Sequence, residues 1–158
     1  MLVAKYKTGS SLYLTNTRDN DFLCFYETDS ECHSHPRGDG CAYSSIEREQ
    51  NRHWFSPYRY LRNDMELIEG EDIRSELPNI YGDFAAQYKS QVRAFLLNLN
   101  KEDKLWYHIL AIVYIYTCGY QSVHEFTEPQ LNEIQKIHDE RKISDWLYNY
   151  VLVATENW

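Results

Sequence analysis

Residues 6–22 read Tyr6-Lys7-Thr8-Gly9-Ser10-Ser11-Leu12-Tyr13-Leu14-Thr15-Asn16-Thr17-Arg18-Asp19-Asn20-Asp21-Phe22. On the N-terminal side, Leu2 to Lys7 alternates apolar and polar residues, the pattern of a half-buried strand, and runs into the turn signal Thr8-Gly9-Ser10. On the C-terminal side, Phe22-Leu23-Cys24-Phe25-Tyr26 predicts a second strand, entered from the polar loop Asn16 to Asn20. Ser11 to Leu14, between them, is too short to assign.

Farther along, the chain changes character. Thr28 to Tyr43 is rich in Ser, His, Gly, Asp and Pro and reads as one long loop. Trp54 to Leu61 resumes an ordered pattern. Phe84, Tyr88, Val92, Phe95 and Leu99 recur at spacings of three and four and fall on one face of a helix. Glu102 to Thr117 is apolar on most sides, as a central helix would be, and Gly119 supplies its C-terminal stop. Thr127 with Gln130 has the capping-box form, with Leu131, Ile134 and Ile137 as a core stripe behind it. Ser144 and Asp145 open a last helix carrying Trp146, Leu147, Tyr150 and Val151. Short strands followed by helices define an α+β chain: a small mixed sheet with helices, then a helical C-terminal part. The expected division is residues 1–73 and 74–158, packed as one compact unit.

Size and charge narrow the function classes. The 158 residues, 43% of them hydrophobic and 25% charged, suffice for a buried core. With 16 Lys and Arg against 24 Asp and Glu, the net charge of -8 opposes a duplex DNA surface, which needs clustered cations, and suits a basic partner. The acids are scattered through predicted helices, which fits a solvated face better than a nucleic-acid mimic. The 14 Tyr and 4 Trp exceed what a core of this size needs, so some rings are expected at a binding surface. No basic start followed by about 7–15 apolar residues marks a signal peptide. The longest apolar segment, Leu105 to Tyr116, is broken by His108 and falls short of a bilayer span. Cys24, Cys32, Cys41 and Cys118 lack a paired framework and read as reduced thiols.

The opening stretch resembles the first motif of the polymerase-beta-like nucleotidyltransferases, most closely their small phage-encoded branch. There a strand ends in Gly-Ser, a Tyr and a Thr-Asn-Thr turn follow, and spaced aspartates begin the next strand. The resemblance implies a nucleotidyltransferase-like sheet in which Gly9 and Ser10 approach a nucleotide triphosphate. It also implies magnesium held by alternate carboxylates of one strand and a third carboxylate on a neighbour, as in two-metal transfer. At the family's spacing from Ser10 the first metal carboxylate is Asp21 and the second position is Leu23, which cannot bind a metal. Asp19 with Asp21 makes another Asp-x-Asp pair, two residues early and on the turn. The third carboxylate should precede Phe55-Ser56-Pro57-Tyr58-Arg59-Tyr60-Leu61, where the chain has Asn51, Arg52 and His53; the last acid upstream is Glu49. Asn63 to Ile73, Tyr88 to Leu97 and Leu105 to His108 are similar in pattern to the helical tail of these phage proteins.

Other constellations weigh less. Cys32, His33, His35 and Cys41, with Cys24, offer zinc-type donors at no regular spacing and read first as a polar loop. Arg48 and His53 have the Arg-x4-His spacing of some helical ribonucleases, but Glu49 follows Arg48. His108 and His138 sit beside apolar residues, where core or boundary roles are commoner than ligation. Tyr107, Tyr114, Tyr116 and Tyr120 crowd one region, as core or as a partner patch. No nucleophile motif and no Walker or Rossmann phosphate loop is present.

The resemblance, with the missing carboxylates, implies a bacteriophage pseudoenzyme of the host cytoplasm that binds and inhibits or redirects a host protein, in host takeover or anti-defence. No cofactor is expected, no duplex DNA and no membrane. Two alternatives stand beside it. One is a divergent nucleotidyltransferase with Asp19 and Asp21 on magnesium. The other is a protein that binds nucleotide at Gly9 and Ser10 without transferring it.

Overall fold

The computed structural model describes residues 1–15, 20–33, 41–51 and 55–158, with the backbone alone at 32 and 33. The chain falls into two compact units, Met1–His53 with Leu61–Asn79, and Trp54–Tyr60 with Ile80–Trp158.

The first unit is built on a mixed four-stranded sheet: β1 (Leu2–Thr8), β2 (Asp21–Tyr26), β3 (Cys41–Ser45) and β4 (Glu66–Gly70), in the spatial order β3-β2-β1-β4. β1 pairs antiparallel with both β2 and β4, while β2 and β3 run parallel. The alternation read over Leu2 to Lys7 holds at Ala4 and Tyr6, which are buried, and at Lys5 and Lys7, which are not, and the strand runs on through buried Thr8, expected in the turn.

Two expectations are corrected here. The stretch Thr28 to Tyr43 is not one loop, because α1 (Asp29–His33) and the start of β3 lie in it. Thr28 Oγ1 accepts the Glu31 N–H at 3.4 Å and its hydroxyl also meets Glu31 Oε1 at 3.1 Å, so the Thr-x-x-Glu cap form was present amid the polar residues. Asn63 to Ile73 is not helical either. Leu67 and Ile68 stand in strand β4, a bulge at Ile68 interrupts its register with β1, and a 3-10 turn, Arg74–Glu76, follows.

The second unit is helical: α3 (Ala85–Leu96), α4 (Trp106–Cys118), α5 (Glu128–Glu140) and α6 (Asp145–Ala154), while α2 (Ile46–Asn51) belongs to the first. α3 buries Tyr88, Val92 and Leu96, with Phe55 stacked on Tyr88 at 5.9 Å and packed on Phe95 at 4.6 Å. α4 is buried continuously from His108 to Ile115, as the all-round apolar sequence implied, and packs on α5 and α6. Arg93 fastens α3 to the end of α6, donating from Nη1 to Leu152 O at 2.9 Å and Thr155 Oγ1 at 2.8 Å.

α5 starts on the expected capping box, in which Thr127 Oγ1 accepts from Gln130 N and Gln130 Oε1 accepts from Thr127 N. Thr127→Ala removes one arm and is expected to cost about 1 kcal/mol. Thermal unfolding of the two proteins should differ by roughly 2–5 °C in a chain of this size. Identical midpoints would mean that water replaces the cap.

No helix among the described residues is long and apolar enough to cross a membrane.

Candidate functional site

The sequence places the turn after β1 at the centre of interest, and its geometry is tight. Gly9 has φ 85 and ψ -167, after which Ser10–Leu12 forms a 3-10 turn held by Leu12 N to Gly9 O and Leu14 N to Ser10 O. A β-carbon on Gly9 would lie 2.5 Å from Asp21 Oδ2, so the carboxylate rests directly against the glycine backbone. Glycine is required there by both the positive φ and the close approach. Ser10 is buried at 4% exposure. The structure thus brings Gly9, Ser10 and Asp21 together; Asp19 lies outside the described residues.

Strand register shows what surrounds Asp21. Thr8, Tyr6 and Ala4 of β1 stand opposite Asp21, Leu23 and Phe25 of β2, and Ala42 and Ser44 of β3 stand opposite Leu23 and Phe25. This face is apolar core: Tyr6, Leu23 and Phe25 are all buried, with Tyr6 and Phe25 edge to face at 5.8 Å. Asp21 stands half-buried at its rim. Where a second carboxylate would join it there is Leu23, and of the stretch expected to carry the third only Asn51 lies within the described residues.

Glu49, the acid nearest in sequence to the missing third position, is buried on α2 and accepts the Ser44 hydroxyl at 2.8 Å. Ser44 stands level with Phe25, four residues along β2 from Asp21, a separation of about 13 Å at the strand rise. The Glu49 carboxylate is thus held at the Ser44 level, toward the other end of β2 from Asp21. Among the described residues no group of three or more His, Cys, Asp or Glu could hold a metal ion. Among the described residues, one hard oxygen donor beside the aliphatic Leu23 falls short of the carboxylate set of a two-metal centre.

Two polar atoms at the turn were not singled out from sequence. Thr8 Oγ1 and Ser11 Oγ are buried and meet no hydrogen-bond partner. Their signal was the run Thr8-Gly9-Ser10-Ser11, three hydroxyl residues around a glycine, of which only Ser10 had a role to suggest it.

The remaining polar features are structural. Tyr6 donates to Asp72 Oδ1 at 2.9 Å and accepts the Ile73 N–H at 2.8 Å, which pins the segment after β4 to the sheet. Burial pushes the Tyr6 phenol up to about 12. The two-pronged contact from Arg74, 3.0 Å at Nε and 2.8 Å at Nη2, holds Asp72 well below the usual carboxylate range. On the opposite sheet face Cys24 packs with Tyr26, Cys41 and Tyr43, and burial, then Cys41, pushes its thiol up to about 11. That makes it an unreactive thiol. Cys24, Cys41 and Cys118 are free cysteines. His35 and the side chains of Cys32 and His33, the rest of the zinc candidate, lie outside the described residues, as do Arg52 and His53. Arg48 is on α2, ion-paired with Asp29 at 2.5 Å.

No family model, curated protein or solved structure matches this chain. The turn itself presents a Gly-Ser corner at positive φ, buried hydroxyls and one adjacent carboxylate.

Proposed function

We propose that this chain is a phage nucleotidyltransferase-like pseudoenzyme that acts by binding a host protein and inhibiting or redirecting it. The observation that supports this reading is Leu23, two residues along β2 from Asp21, at the position of the second metal carboxylate. The motif keeps its corner and first acid, while the second metal position is Leu23, an aliphatic residue buried as core, and no acid stands at 51–53 for the third. A leucine side chain has no donor atom to offer a metal. An acidic chain with Trp146, Tyr150 and Val153 exposed along one side of α6 has surface suited to protein contact.

The test is nucleotidyl transfer by the full chain with magnesium or manganese, labelled triphosphates, and RNA or protein acceptors. No transfer above background is expected. Transfer that Asp21→Ala abolishes would overturn the reading in favour of a divergent enzyme. The partner half is tested by affinity capture from host lysate, where a stoichiometric partner is expected.

Nucleotide binding without transfer is a second reading, favoured by the buried, unpartnered hydroxyls of Thr8 and Ser11 beside Gly9. Such groups cost about 1–3 kcal/mol each while unsatisfied, and a phosphate could relieve them. Calorimetry with the common triphosphates should give heat that Gly9→Ala removes; silence with every nucleotide rejects this second reading.

A further inference from the structure

Strand β4 is the edge of the sheet, with β1 on one side, and all five of its residues are exposed. A strand so placed turns a row of backbone N–H and C=O groups outward, a template for another strand. Proteins commonly blunt such edges with lysine or proline, and β4 has neither. It carries Leu67 at 40% and Ile68 at 53% exposure, bracketed by Glu66 and Glu69 and followed by Glu71. The bulge at Ile68 and the two glutamates are what blunt it.

The charges select the occupant. Within the sheet Glu66 stands opposite Lys7 and Glu69 opposite Lys5, so acids on β4 alternate with bases on β1. A strand added outside β4 continues that alternation only if it brings Lys or Arg opposite Glu66 and Glu69. A second copy of β4 does the reverse: the antiparallel register that matches Leu67 with Ile68 sets Glu66 directly against Glu69, and like charges directly opposite destabilise a strand pair.

We infer that the outer edge of β4 takes up an extended basic segment of another protein, with main-chain bonds supplying the pairing and Glu66 and Glu69 reading its Lys or Arg residues. This deepens the partner-binding reading by giving the partner segment a chemistry, and it can fail alone.

The probe is a fluorescent peptide alternating Lys and Val, titrated into the full chain, beside the same peptide N-methylated at alternate amides and one with Glu for Lys. The Lys peptide should bind and should slow amide exchange within residues 66–70. The N-methylated and Glu peptides should not bind. Glu66→Gln with Glu69→Gln should weaken binding by about tenfold while amide protection in β1 is kept. Four results would overturn the inference: no binding, equal binding of the N-methylated peptide, protection confined to other segments, or a dimer in sedimentation that pairs through β4. Any of these, obtained with a chain that transfers no nucleotide and captures a partner, removes the β4 edge and leaves the pseudoenzyme reading in place.

Discussion

Gly70→Ala is expected to destabilise the first unit by about 3 kcal/mol or more, the sum of a backbone cost and a collision. Gly70 closes β4 with φ +86, where a non-glycine residue is strained by about 1–3 kcal/mol. An added β-carbon would also fall 2.1 Å from the Val3 carbonyl oxygen. That oxygen cannot retreat freely, because it accepts the Glu71 N–H at 3.0 Å and belongs to β1, the strand both β2 and β4 pair with. Gly9→Ala makes the informative contrast. Its β-carbon meets Asp21 Oδ2, the end of a side chain that can rotate, so the stability cost should be smaller while the corner beside Asp21 is displaced. Trp106, Trp146 and Trp158, three of the four tryptophans, belong to the second unit, so fluorescence is a poor reporter of the event. Amide exchange of β1 and β4 in urea is the suitable readout. Protection in Gly70→Ala equal to the parent would show that the strand end shifts at no cost.

What was legible in the sequence follows how local the cause is. β1, β2 and the helices α3 to α6 were readable because each carries its own periodicity or cap: Ala4 and Tyr6 alternate with Lys5 and Lys7, Thr127 and Gln130 close a box, and Ser144 accepts from Leu147 N. β3 and β4 were missed because their stability is borrowed. Cys41 to Ser45 is a strand through its parallel pairing with β2, and Glu66 to Gly70 through its antiparallel pairing with β1, with no buried residue in β4 to give a pattern. At the candidate site the identities of Gly9, Ser10 and Asp21 were legible, whereas the contact between Gly9 and the Asp21 carboxylate was not. It depends on the register that sets Thr8 against Asp21 across a turn of a dozen residues. The partnerless hydroxyls of Thr8 and Ser11 were hidden for the same reason, since burial and partners are properties of the packed turn.

Acid should weaken the second unit through His108, by about 3 kcal/mol between pH 6 and pH 4 at one proton's slope of about 1.4 kcal/mol per pH unit. His108 lies on α4 at 3% exposure, its Nδ1 2.6 Å from the Tyr60 hydroxyl, with the rings of Tyr58 at 5.8 Å and Tyr107 at 4.0 Å around it. Burial first, and the charges of His138 and Lys104 after it, push the imidazole down to about 3. The folded value is therefore depressed below the ordinary 6.5, and the unfolded chain takes up the proton first as pH falls. Stability from this group is complete above about pH 6.5 and is lost progressively toward pH 3. His108→Phe alone would remove the 2.6 Å contact between Nδ1 and the Tyr60 hydroxyl, and the cost of that buried polar change, about 1–3 kcal/mol, would mask the slope. The double variant His108→Phe with Tyr60→Phe removes both polar groups at similar volume. Urea unfolding followed at Trp106, fully buried in the same unit, should show the parent losing stability more steeply than the double variant by close to one proton between pH 6 and 4. Parallel pH profiles would mean that His108 takes up its proton in the folded state, and that the Tyr60 contact tolerates the charge.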